Sequence, residues 1–479
     1  MSNNLRSLSI ALLGGLALSA GGTVPAPVPV TFGPNIDLSM QNDSPGVIQR
    51  ETTIAVNPKN PLNIVEGNHF RGGAPTAAHD TFSFSMDGGR SWTLGGAVPL
   101  EQSPGASGDP ALAADADGNF YFSHIDFSTT VQGYILSSSV VVAKSTDGGR
   151  SFPTLSVVHE EVSTPVSDSS PDKDYIGIDT WGGSPFKGTI YVGWTETIAN
   201  VSGVFYQIQV AVSRDQGQTW SSPIGVSQLA PAFTEGLFGA LPVAAPDGTV
   251  YVFYADMVFN TGPTSIRFSK STDGGKTWSK PADVASGLPS PGFFRLKNDD
   301  PNWDTTFPLG ILSNSLPTAA IAPDGTISVA WADFPNGSCT NDGSFDPPCT
   351  NSDVRLSISK NSGTTWSTPT KVSDETNATD QFMPWIAAHP DGLLSLAWTD
   401  KRLDPNNANY DVFYTNTHDG ATFLPNVRVS STTSISGNEQ TQIQDYNGLA
   451  VSADAIFPVW GQMTSNTPDV FTAVGHFVK

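Results

Sequence analysis

Apolar residues along this chain fall into short runs separated by Gly, Pro, Asp and Asn, and no stretch carries the spacing of an amphipathic helix. Residues 239–255 show the pattern most clearly: GALPVAA, the tripeptide Pro-Asp-Gly, then TVYVFYA. This reads as a strand, a tight turn and a second strand, with Asp-Gly as the hairpin signal. Similar pairs recur at 52–70, 110–125, 175–195, 318–332, 384–399 and 448–461, which makes seven hairpins. A third run follows at 266–270, 354–358 and 411–414, and a fourth at 282–284 and 370–372. The repeating unit is therefore a four-stranded antiparallel sheet, and the fold class is all-β.

Between the third and fourth runs stands a second repeat. Residues 271–278 read Ser-Thr-Asp-Gly-Gly-Lys-Thr-Trp, with copies at 85–92, 145–152, 213–220 and 359–366 and a shorter one at 417–423. The fifth carries Asn361 and Ser362 in place of Asp and Gly. The Asp side chain can accept hydrogen bonds from amides of its own turn, and the glycines supply positive φ. The Trp is expected to anchor each turn in the core.

Ser-x-Asp-x-Gly-x-Thr-Trp resembles the Asp-box, or bacterial neuraminidase repeat, of sialidase-like β-propellers. The resemblance covers nearly all of the chain after its first thirty residues and is specific for fold. It implies a propeller with the boxes on the face opposite the active site. For activity it is weak, because Asp-boxes also occur in lyases, other glycosidases, receptors and assembly factors. Sialidases have six blades; the seven hairpins predict seven, with six as the alternative.

The seventh repeat stops after one strand beyond its hairpin, at 469–478, with no box and no fourth strand. Residues 32–39 (FGPNIDLS) match 423–430 (FLPNVRVS), the fourth strand of the sixth repeat. The N-terminal segment is thus expected to complete the last blade and close the ring, leaving no open edge. A 479-residue length would ordinarily suggest several domains, but the repeat reduces this to one, residues 31–479.

Residues 1–20 read as a signal peptide, with Arg6 before an apolar run at 8–20 too short to span a bilayer and small residues at its end. Residues 21–30 form a Pro-rich spacer. Export makes a disulfide between the only two cysteines, Cys339 and Cys349, the expected state, with free thiols as the alternative. A formal charge of −22 argues against nucleic acid and anionic membranes as partners. The expected protein is a secreted monomer acting on extracellular glycans.

The segments entering first strands and leaving second strands share the face opposite the boxes. They carry Arg50, Glu51, His69, Arg71, His79, Asp80, Asp109, His124, Asp126, Asp172, Lys173, Asp174, Glu196, Glu235, Asp256, Asp333, Asp380, Asp400, Arg402, Glu439, Asp445 and Tyr446. An acidic residue ends the second strand in five repeats (Asp126, Glu196, Asp256, Asp333, Asp400), often just after Trp or Tyr. Recurrence at one position favours a structural role; paired carboxylate chemistry or an axial Ca²⁺ ion are the alternatives. No stretch has the Ca²⁺-loop spacing, so no cofactor is expected.

Residues 286–316, inserted between repeats four and five, carry Phe293, Phe294, Arg295, Lys297, Asp299, Asp300, Trp303 and Asp304, an aromatic and charged set suited to sugar binding. The cysteine loop leaves the same face, so the two are expected to meet.

The resemblance implies three arginines clamping a carboxylate, an acid/base Asp, and a Tyr nucleophile activated by a Glu. By position these become Arg50, Arg295 and Arg402, with Arg71 and Trp303 as further binding residues; Asp80; and Tyr446 with Glu439 or Glu235. Only Arg50 opens a first strand where the family has an arginine, here as Gln49-Arg50-Glu51. A polysaccharide lyase would use His69 with Arg71, or His124. A non-catalytic glycan- or protein-binding propeller requires no particular residue. Motifs of serine hydrolases, HExxH metalloproteases and phosphate loops are absent from the sequence.

Overall fold

The seven hairpins form as read. Glu235–Ala244 pairs antiparallel with Val250–Val258, which pairs with Thr264–Ser271, which pairs with Ala282–Leu288. The structure is a computed structural model describing residues 24–39, 48–72, 78–101, 105–129, 135–162, 169–259, 263–296, 311–340, 347–435, 445–463 and 468–478. Among these residues it is all-β, with no helix and hence none long and apolar enough to cross a membrane.

The same order of four strands recurs along the chain. Sheet one runs from Ile48–Val56 to Thr93–Ala97, sheet two from Gly105–Ala114 to Thr154–Val162, and sheet three from Ser170–Ile178 to Ile224–Gly225. Sheet four is the set above, sheet five runs from Thr318–Ile321 to Thr370–Lys371, and sheet six from Gln381–Ala388 to Val427–Arg428. The last sheet takes Gly448–Val451, Ala455–Met463 and the interrupted strand Pro468–Thr472 with Gly475–Phe477. Its outer strand comes from the other end of the chain: Ile36–Asp37 pairs with Phe471 and Thr472, and Val30–Phe32 pairs with Gly475–Phe477. First strands contact one another in order, and the last contacts the first, so they line a closed ring in the manner of a propeller.

Each box turn follows one hydrogen-bond plan. In 271–278, Ser271 Oγ donates to Asp273 Oδ1 (2.8 Å) and accepts from Gly275 N (2.9 Å), while Thr277 N and Oγ1 both donate to the Asp273 carboxylate (2.9 and 2.6 Å). The turns at Asp87, Asp147 and Asp215 repeat it; Asn361 accepts from Ser359 Oγ and Thr365 N through its amide oxygen, while its Nδ2 donates to Thr365 Oγ1 (2.8 Å), reversing that one bond.

The box tryptophans are less deeply placed than their conservation of position in the repeat suggests. Trp278 is half-buried, while the fully buried tryptophans are Trp194, Trp331, Trp398 and Trp460 of the second strands. Their indole N–H groups explain the acid that ends those strands: Trp194 donates to Glu196 (2.7 Å), Trp331 to Asp333 (3.1 Å) and Trp398 to Asp400 (2.7 Å), with Gln462 accepting from Trp460 (3.2 Å). A buried indole needs an acceptor, and the carboxylate two residues on supplies it. Trp398→Ala is expected to cost about 3–5 kcal/mol in urea unfolding, and Trp278→Ala clearly less. Equal losses would put the box tryptophan back in the core.

The two insertions meet. Phe293–Leu296 pairs antiparallel with Ile311–Asn314 and parallel with Pro348–Thr350, which pairs with Ser338–Cys339, and Cys339 is disulfide-bonded to Cys349. Phe294 and Leu296 of this small sheet are buried in one cluster with Phe334.

Candidate functional site

Five first strands break register at the same point: between Arg50 and Thr53, Gly108 and Ala111, Asp172 and Tyr175, Phe238 and Leu241, and Phe382 and Trp385. The bulge puts one residue at positive φ: Glu51 (56°), Asp109 (60°), Lys173 (44°), Gly239 (82°) and Met383 (50°). Glycine adopts this backbone freely; Glu, Asp and Lys do so at a cost of about 1–3 kcal/mol, the kind of strain that accompanies a functional constraint. Three consecutive sheets thus turn a charged side chain inward.

These side chains converge. Carboxylate oxygens of Glu51, Asp109 and Asp445 lie within 4.8 Å of one another. Arg50 Nε is 3.2 Å from Glu51 Oε1, and Lys173 N donates to Asp109 Oδ2 (3.3 Å). The Asp172 carboxyl is close enough to Asp109 to feel its charge. Lys173 Nζ lies 3.9 Å from the centre of the Tyr175 ring and 3.7 Å from that of Tyr446, and donates to the Asp174 carbonyl (3.1 Å). The Tyr446 hydroxyl is buried and has no hydrogen-bond partner among the described residues. Beside this group, buried His69 Nδ1 is 3.1 Å from Asp80 Oδ1, and Asp80 N donates to Ser107 Oγ (2.8 Å).

Crowding carboxylates away from water shifts their protonation. Burial pushes Asp80 up to about 6 against the opposing His69 hydrogen bond. Burial also raises Asp174 to about 8, opposed by Lys173 and the Ser123 hydroxyl. Asp109 and Asp445 are raised by desolvation, with Glu51 adding to both. For Asp172 desolvation and then the Asp109 charge act upward; its side chain still meets water, so the direction rests on Asp109. Burial opposes charge on His69, but the Asp80 hydrogen bond and the charges of Glu51 and Asp80 outweigh it and raise its pKa. Tyr446 is held well above 10 by burial and the neighbouring carboxylates. The arrangement therefore holds an Asp able to carry a proton in mildly acidic solution, a cation at Arg50, and a phenol with no hydrogen-bond partner among the described residues.

Of the residues singled out from sequence, Arg50, Asp80 and Tyr446 come to this one cluster. Others do not. Arg402 is bound within the protein: Nε and Nη2 donate to Asp400 (3.0 and 2.7 Å), Nη1 to Asp374 (2.5 Å) and Nη2 to Asn426 (2.9 Å), with the guanidinium over the Phe413 ring. It neutralises the second-strand acid of sheet six and is not free to clamp a substrate carboxylate. Arg295 belongs to the insertion sheet and Arg71 to the exposed end of Ile64–Arg71. Trp303 and Glu439 lie outside the described residues. His124 is fully buried, its ring nitrogens have no hydrogen-bond partner among the described residues, and burial lowers its pKa to about 3, so it cannot act as an accessible lyase base. Sequence reading placed Glu51, Asp109, Asp172, Lys173 and Asp445 on the right face but gave them no role. A signal existed in the charged residue that repeatedly precedes a first strand, as in Arg50-Glu51, Gly108-Asp109-Pro110 and Asp172-Lys173-Asp174.

No family model matches the chain, and no curated protein matches it. Among solved structures it is similar to a protein of unknown function from Dyadobacter fermentans (12% identity over 94% of this chain and 99% of that one, TM-score 0.49). It is also similar to the Hadza microbial sialidase Hz136 (12% identity, 94% and 97% covered, TM-score 0.45). A third is the α-L-arabinofuranosidase Arb93A of Fusarium graminearum (14% identity, 79% and 95% covered, TM-score 0.43).

Proposed function

We propose that the chain is a secreted, monomeric seven-bladed propeller, sealed by its N-terminal strand, that binds an extracellular glycan inside the ring of first strands and cleaves it as an exo-glycosidase. Asp80 is the proton donor, Tyr446 faces the reacting carbon with Glu51 as the carboxylate that takes its proton, and Arg50 binds an anionic or polar substituent. Glu51 takes the place that sequence reading gave to Glu439 or Glu235.

One observation carries this reading: a buried acid with its pKa raised to about 6 and a buried tyrosine hydroxyl with no hydrogen-bond partner among the described residues share one carboxylate cluster with Arg50. With Arg402 engaged by Asp400, Asp374 and Asn426, it is not available to a three-arginine carboxylate clamp, and a neutral sugar fits the group better than sialic acid. The apolar run at 8–20 and the disulfide support export.

Wild type, Asp80→Asn and Arg50→Lys should be assayed on fluorogenic sialosides, neutral glycosides and acidic oligosaccharides. Asp80→Asn is expected to abolish turnover and spare binding. Arg50→Lys should weaken catalysis by about 1.5–3 kcal/mol with little change in folding, since a lysine loses the planar fork. Asp80 has no exposed surface, which favours a second reading, a glycan-binding propeller without turnover. That reading expects binding by both wild type and Asp80→Asn and hydrolysis by neither. If wild type cleaves none of these sugars and binds them no better than Arg50→Lys does, both readings fail.

A further inference from the structure

Away from the axial cluster, a histidine stands between two glutamates where sheet two meets sheet three. His159 and Glu161 lie on the outer strand Thr154–Val162, and Glu196 lies on the second strand Ile190–Asn200 of the next sheet. His159 Nε2 is 3.2 Å from Glu161 Oε1 and 3.4 Å from Glu196 Oε2, and one ligand atom from each residue lies within 4.8 Å of the others. The imidazole is stacked on Trp194, with ring centres 5.5 Å apart and planes inclined by 22°, so its nitrogen is aimed and held. The Trp194 indole donates to Glu196 Oε2 (2.7 Å) and fixes that carboxylate, while Glu196 Oε1 is buried and has no hydrogen-bond partner among the described residues. Glu196 is 2% exposed and Glu161 33%, so one side of the group opens to solvent.

The repeat supplies an internal comparison. The carboxylate at the end of the second strand is neutralised by Arg267 in sheet four (2.8 Å from Asp256) and by Arg402 in sheet six (2.7 Å from Asp400). In sheet three its cationic neighbour is an imidazole, and that imidazole is shared with a second carboxylate. Two negative charges therefore face at most one positive charge, with a buried carboxylate oxygen left over. A buried anion lacking a full counter-charge is costly, and a bound cation removes that cost.

We propose that His159 Nε2, Glu161 and Glu196 bind one divalent ion of the zinc class, tying the outer strand of sheet two to sheet three. One imidazole nitrogen with two carboxylates suits a borderline ion that accepts four ligands, with water completing the set. Calcium would need six to eight oxygens, more than this group offers. The Trp194 N–H plays the orienting part usual around metal-bound carboxylates, holding Glu196 Oε2 where it faces His159 Nε2. None of these residues belongs to the axial cluster, so the inference stands or falls separately from the glycosidase reading.

The full chain, stripped with EDTA, is to be titrated with ZnCl₂ by calorimetry and followed by thermal unfolding, with CaCl₂ in parallel. Wild type is expected to take up roughly one equivalent of Zn²⁺ and to melt at higher temperature with it, and Ca²⁺ should do neither. His159→Gln and the more exposed Glu161→Gln should each weaken Zn²⁺ binding more than tenfold. Co²⁺ in place of Zn²⁺ should give visible absorption bands in wild type that His159→Gln lacks. Absence of Zn²⁺ binding by wild type, or equal binding by Glu161→Gln, would overturn the proposal and leave the group as an imidazolium bridging two carboxylates.

Discussion

A chain lacking residues 24–39 is expected to lose its cooperative thermal transition, or most of its stability, where loss of a loose N-terminal tail would leave both unchanged. The segment is built into two sheets. Val30–Phe32 and Ile36–Asp37 supply the outer strand of the last sheet, and Leu38 N donates to the Val470 carbonyl (2.8 Å). Upstream, Val28 exchanges two hydrogen bonds with the Asn416 side chain of sheet six (2.9 and 2.7 Å), and Phe32 packs edge-on against Tyr414 with ring centres 5.2 Å apart. Asn35 reaches Ser431 and Gln462. Without these contacts the last sheet presents an unpaired strand edge and the seam between first and last repeats loses its cover. In a closed ring that damage spreads to every neighbour, so the loss is comparable with the whole folding free energy of about 5–15 kcal/mol. Circular dichroism melting and limited proteolysis of the deletion variant are the measurements. An unchanged melting temperature would show that the ring holds without its N-terminal seal.

Stability is expected to fall as pH rises from about 5 to about 8, the reverse of acid denaturation. Three fully buried carboxyls decide this. Burial raises Glu66 to about 8, opposed by the Asn68 hydrogen bond, and raises Asp174 to about 8 and Asp80 to about 6. Unfolded, these groups release their protons near pH 4; folded, they keep them until pH 6 to 8. Between those limits the folded state binds more protons, so each increment of pH favours unfolding, by about 1.4 kcal/mol per unit for each such group. The favourable contribution is complete below the unfolded value and gone above the folded one. The box aspartates act oppositely: Ser91 and Thr219 hydrogen bonds hold Asp87 and Asp215 down at about 2, so their contribution is present above pH 4 and lost as pH falls toward 2. The two trends place the optimum in mildly acidic solution. Urea unfolding of wild type and Glu66→Gln across this range tests it, because Gln mimics the protonated acid and keeps the Asn68 contact (3.0 Å). Glu66→Gln should flatten the slope by about one proton. A wild-type stability that climbs with pH, or a slope unaltered in Glu66→Gln, would defeat the argument.

What the sequence determined by itself is the local part of the structure. Asp-Gly turns between alternating runs specify the hairpins, because turn type and side-chain alternation depend only on neighbours in the chain. The box at 271–278 specifies its own hydrogen bonds for the same reason: Ser271, Asp273 and Thr277 satisfy one another within eight residues. Even the distant pairing of residues 32–39 with the last sheet was legible, since the segment carries the fourth-strand pattern of 423–430. Tertiary structure alone decided which charges meet and which are already paired. Arg50 and Arg402 look alike in sequence, yet one faces the axial cluster and the other is enclosed by Asp374, Asp400 and Asn426. Glu51, Asp109 and Lys173 enter the ring because a bulge holds each at positive φ, a conformation their local preference opposes and only the surrounding sheets impose. Glu66 and Asp174 carry protons at neutral pH because water is excluded around them, and exclusion of water is a property of packed neighbours drawn from several sheets, not of any stretch of chain.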